Sequence, residues 1–244
     1  MQIENKIIPF PSIEDVFQNN FEKNKLVFIP LCSINLSLVD SSLNDWVHFV
    51  HVWDTGNYEA NYFSEHRGQD WIKFQLNDNK YQYLGNTESF PMYSSLSSWL
   101  NEAEQEFKEN REDYISCKTF EQYISGDKKK RDDNRRETIF EHYLYVAHVI
   151  SFLITKENYF KTLRFVQAKY YTDGYVYMEN KLLDKIGGKV KWTQSDATPK
   201  DENGNPLIFV GELSGCNYLN YGIDAIYLFY DKYKKETIQI FQCT

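Results

Sequence analysis

His48 and His51 stand three residues apart in an apolar run. On a helix that spacing brings two imidazoles together over a metal, but on a strand it points them to opposite faces. Trp46 to Trp53 reads as a strand, so no metal site is expected there. His142 and His148, six apart in a second apolar stretch, read as core histidines satisfied by hydrogen bonds. Cys32, Cys117, Cys216 and Cys243 contain no Cys-x-x-Cys pair, which excludes a zinc knuckle or dithiol redox site and fits free thiols in a reducing compartment. Ser214-Gly215-Cys216 is the nearest approach to a nucleophile, and it lacks the Gly-x-Ser-x-Gly elbow. Lys185-Ile186-Gly187-Gly188-Lys189 lacks the spacing of a phosphate-binding Walker loop. Asp132 beside Asp133, in an acidic chain, carries no glycosidase signal. These readings predict no catalytic residues, no metal and no cofactor, and therefore a protein that works by binding.

Charge says what it would bind. The 244 residues carry 35 acidic and 27 basic side chains, a net charge of −8. Residues 1 to 100 hold 12 acidic and 6 basic, and 101 to 141 hold 12 and 9, so the excess lies in the first part of the chain. Such a surface repels a phosphate backbone and steers a basic protein towards itself, so direct nucleic-acid binding is not expected. The densest feature is Glu102, Glu104, Glu106, Glu109, Glu112 and Asp113 against Lys108 and Arg111. These six carboxylates are the expected partner-binding residues, with a solvated helix face as the plainer alternative. Aromatics make up 17% of the chain, material for an adhesive interface or, equally, the mark of A/T-rich codons.

The elements that must position these residues follow from periodicity. Lys25 to Leu31 reads as a strand turning at Pro30, and Trp46 to Trp53 as a second strand. Trp71 to Leu76 and Tyr81 to Leu84 read as a hairpin, with Trp71, Lys73 and Gln75 on one face and Ile72, Phe74 and Leu76 on the other. Together residues 25 to 84 predict an antiparallel meander. Ser94 and Ser95 cap a helix whose stripe is Leu96, Leu100, Ala103, Phe107 and Tyr114. Thr138 to Thr155 is apolar nearly all round and predicts a buried helix. Strands are expected over 163–171, 207–213, 225–230 and 237–241. The fold class is therefore α+β, antiparallel sheets with a few packed helices. Domain organisation reads as an acidic part over 1–126, a charged loop or linker over 127–136 and a second part over 137–244, with one continuous domain as the alternative. The most apolar stretch, Tyr143 to Ile154, is too short to span a bilayer, and the N-terminus lacks a signal-peptide pattern, so a cytoplasmic protein is expected.

One region is more particular. Leu183-Asp184-Lys185-Ile186-Gly187-Gly188-Lys189-Val190-Lys191-Trp192-Thr193-Gln194, then Pro199-Lys200-Asp201-Glu202-Asn203-Gly204-Asn205-Pro206 and the apolar Leu207 to Leu213, resembles the signature of the YwqG-like family of uncharacterised bacterial proteins. Gly222-Ile223-Asp224-Ala225-Ile226-Tyr227-Leu228-Phe229 resembles that family's turn into a Tyr-x-Phe strand. Val190 stands where the family tends to have proline, and Glu212 where it tends to have glutamine. The residues themselves predict a tight turn of positive φ at Gly187-Gly188 and a core anchor at Trp192. What the resemblance implies is an accessory protein of the kind found beside polymorphic toxins, an immunity protein; the acidic charge adds the expectation that its cognate toxin is basic, such as a nuclease. The alternative is a small-ligand binder or enzyme with a pocket near Trp192, Gln194 and Glu212, and a third reading is a structural subunit of a larger assembly.

Overall fold

The computed structural model describes residues 6–54, 62–112, 137–171, 174–179, 181–219 and 223–243. Asp113, Cys117 and the charged segment 127–136 lie outside them. In chain order the elements are β1 (Ile7–Pro9), α1 (Ile13–Val16), α2 (Phe21–Val27), β2 (Phe28–Asn35), β3 (Trp46–Val52), β4 (Trp71–Asn77), β5 (Lys80–Gln82), α3 (Tyr93–Glu109), α4 (Glu137–Thr162), β6 (Val166–Tyr171), β7 (Gly174–Glu179), β8 (Lys185–Ile186), β9 (Ile208–Leu213), β10 (Ala225–Asp231) and β11 (Glu236–Gln242). All strand pairings between these elements are antiparallel, in a three-stranded sheet β1-β2-β3, a six-stranded sheet β5-β4-β11-β10-β9-β8 and the hairpin β6-β7. The fold is α+β, as the periodicity predicts. No helix among the described residues is long and apolar enough to cross a membrane.

The chain divides into two compact units, one of Met1–Tyr93, Leu182–Cys216 and Ile223–Thr244, the other of Ser94–Lys181 and Asn217–Gly222. These boundaries differ from a sequential split at 127–136 because β4 pairs with β11, from Gln75 opposite Glu236 to Trp71 opposite Ile240. The first and last parts of the chain thus complete one sheet.

In the first unit the two larger sheets bury their aromatic residues together. Phe28 of β2 meets Phe74 of β4 edge-on at 5.4 Å and stacks on Phe17 at 5.2 Å, while Phe74 stacks on Tyr81 at 4.8 Å. β4 alternates as its sequence predicts, with Ile72, Phe74 and Leu76 buried and Trp71, Lys73 and Gln75 half-buried. The predicted meander is not continuous. β2 pairs with β3 and β4 with β5, but the two hairpins belong to different sheets. Nor does the chain turn at Pro30. Lys25 to Val27 finish α2, and the strand runs through Pro30 to Asn35, with a register irregularity between Pro30 and Cys32 that accommodates a residue lacking an N–H.

The second unit holds α3, α4 and the β6-β7 hairpin. α3 buries Leu96, Leu100 and Ala103, spaced four and three apart, and starts at Tyr93, one residue before the predicted cap. Tyr114, the last residue of its predicted stripe, is outside the described residues. α4 is apolar nearly all round, as predicted, and is longer than the predicted helix at its C-terminal end. Arg111, just beyond α3, donates from Nε to Glu157 of α4 at 2.7 Å and also engages it through Nη2.

Candidate functional site

The outward face of α3 is the first candidate, because burial of Leu96, Leu100 and Ala103 turns its carboxylates to solvent. Glu102, Glu104 and Glu109 are exposed and Glu106 is half-buried, and Glu112, just beyond the helix, is exposed too. Glu102 meets the His142 ring nitrogen Nε2 at 2.8 Å, Glu106 accepts from Asn110 Nδ2 at 2.9 Å, and Glu109 pairs with Gln105. Burial first, and the nearby Glu104 charge second, raise the Tyr145 hydroxyl pKa. Arg111 is already held by Glu157 and Glu112, which leaves the face negative.

The segment after β8 is the second. Gly187 and Gly188 have φ of +58° and +75°, the left-handed turn expected of them. Beyond the turn the chain crosses the six-stranded sheet. Val190, Trp192, Ala197 and Leu207 pack on Phe209, Ala225, Tyr227, Phe229 and Ile240. The Trp192 ring lies 4.6 Å from Tyr227 and stacks on Phe229 at 5.8 Å, the anchoring role its type predicts. Polar groups also hold this crossing, among them Tyr227 and Gln242. Tyr227 Oη donates to the Lys191 carbonyl at 3.0 Å and accepts from the Thr193 N–H at 2.9 Å. Gln242, almost fully buried, accepts from the N–H groups of Thr193 and Gln194 at 3.1 and 2.9 Å and donates to the Ser195 carbonyl at 2.8 Å. Sequence reasoning missed Gln242, whose partners are almost fifty residues away and leave no local pattern.

Trp192, Gln194 and Glu212 hold different places in this region. Trp192 belongs to the packed face, and Glu212 sits opposite Lys185 and Tyr227 in the strand register. Burial, then the Asp184 carboxylate, raise the Glu212 pKa above its ordinary value, while Lys185 and Lys191 pull it down. Gln194 lines a cleft of about 180 Å³ whose other walls include Asp54, Arg67, Asp70, Trp71 and Cys243.

A third place pairs a hydroxyl with an imidazole. Ser33 and His48 are opposite each other on β2 and β3, both nearly fully buried, with Oγ 2.7 Å from Nδ1. His48 Nε2 is 2.8 Å from the Asn79 carbonyl, which only accepts, so Nε2 carries the proton and Ser33 donates to Nδ1. Burial lowers the His48 pKa to about 4, against a small raising effect from the Asn79 hydrogen bond and Asp15, so the ring is neutral at pH 7. Both residues line a cavity of about 300 Å³ with Ile8, Asp15, Trp46 and Lys80. His51 points away from this pair, as strand alternation requires. Among the described residues no three His, Cys, Asp or Glu side chains are placed to hold a metal.

Comparison with family models, with curated proteins and with solved structures returns no match.

Proposed function

We propose that this chain is a non-enzymatic, cytoplasmic binding protein of the YwqG-like kind, an immunity protein that captures a basic bacterial toxin such as a nuclease and holds it inactive. The observation that carries this reading is the outward face of α3, where Glu102, Glu104 and Glu109 are exposed, followed just beyond the helix by exposed Glu112 and by Arg111, which is tied to Glu157. Clustered like charge on a rigid helix raises the encounter rate with an oppositely charged protein, and aromatic anchors supply most of the final hold. Glu102 is braced by His142, whose ring lies 5.2 Å from Trp99.

The alternative is a small-ligand binder or enzyme with a pocket near Trp192, Gln194 and Glu212, of which Gln194 lines a cleft of about 180 Å³. The test of the immunity reading is affinity capture of the tagged protein from its native lysate, with low- and moderate-salt washes and mass spectrometry of the bound fraction. The expected result is one stoichiometric basic partner whose toxicity on expression is abolished by co-expression of this chain. Recovery of the protein alone, or a partner whose toxicity is unaffected, contradicts it.

A further inference from the structure

Arg67 is 2% exposed, yet its guanidinium is only partly satisfied. Nη2 donates to Asp54 Oδ2 at 3.1 Å and the group lies 4.0 Å over the Phe90 ring, whereas Nη1 is closed off from water with no hydrogen-bond partner among the described residues. A buried donor left without an acceptor is uncommon, because it loses its hydration without gaining a hydrogen bond, and for a charged group that loss is larger still. Arg67 lines the cleft that Gln194 also reaches, and the cleft wall is built closely. A Cβ on Gly68 would stand 2.0 Å from the Trp71 indole Nε1, so only glycine lets that ring lie where it does.

The chemistry of the walls defines the occupant. Nη1 calls for an acceptor, preferably charged. Asp54 already neutralises much of the Arg67 charge, and the exposed Asp70 carboxylate at the same cleft disfavours a simple anion. A ligand that carries its own cation removes that conflict. Trp71, Ile223 and Phe241 add an apolar wall. At about 180 Å³ the cleft is smaller than the roughly 300–1,000 Å³ of a drug-sized ligand site. We propose that this cleft binds a free α-amino acid, its carboxylate on Arg67, its ammonium towards Asp70 and its side chain against Trp71 and Phe241. This inference is independent of toxin capture.

The test is titration calorimetry of the whole chain with each of the common L-amino acids, beside n-butylamine and pentanoate as half-ligands, with the tryptophan indole NMR signals followed in parallel. The expected result is saturable binding of at least one apolar amino acid, at least tenfold tighter than either half-ligand, with a shift of the Trp71 indole signal. Asp70→Asn, at an exposed position, should weaken binding at least threefold, and Arg67→Lys, with its fold checked by circular dichroism, at least tenfold. Should Arg67→Lys fail to fold, Asp70→Asn and the half-ligand comparison still decide. Absence of binding by every amino acid, equal binding of the amine alone, or unchanged affinity in Asp70→Asn overturns the assignment.

Discussion

His48 shows how a single buried side chain ties stability to pH. Its folded pKa of about 4 lies below the unfolded value of 6.5, so the unfolded chain binds the extra proton. Its contribution is complete above pH 6.5 and is lost as the pH falls towards 4, by about 3 kcal/mol at 1.36 kcal/mol per unit. His48→Gln, which cannot titrate, should flatten that part of the stability profile in urea melts, and an unchanged profile would refute the assignment. Trp192→Ala should cost about 3 kcal/mol, the lower end for aromatic truncation because the ring is only half-buried, read as a lower denaturation midpoint. The anchoring role of Trp192 was legible in its type and its neighbouring glycines. Gln242, Arg67 and the partnership of Ser33 with His48 were not, because each depends on strand register or on segments distant in sequence.

At the scale of elements, alternation and helical spacing carried most of the information. β4 alternates as read, and α3 buries the residues its spacing selects. What periodicity could not give was which hairpin joins which sheet. The pairing of β4 with β11 spans some 165 residues, and no local pattern encodes it. Short elements such as α1, with its Ser12–Asp15 capping box, and the two-residue β8 were also missed, since so few residues hold too little periodicity to stand out. The turn before the crossing segment is testable by itself. Gly187→Ala forces a side chain into φ of +58° and should destabilise the protein by about 1 kcal/mol in chemical denaturation, whereas a neutral effect would show that the turn relaxes freely.

Across the whole molecule, the charge asymmetry read from the sequence has its most ordered expression on α3, which presents its carboxylates to solvent while its apolar stripe is buried. Asp113 and the charged segment 127–136 lie outside the described residues, so the helix itself bears the argument. Screening reaches only about 8–10 Å at physiological salt, and steering by such a face must therefore weaken as salt rises. The most direct measurement is the association rate of the purified chain with its captured partner, comparing wild type with Glu104→Lys/Glu109→Lys/Glu112→Lys from low to high salt. Toxin capture through α3 predicts that the reversed face slows association by about tenfold or more in low salt, and that the difference closes as salt is added. An association rate that is the same for both proteins in low salt would contradict it.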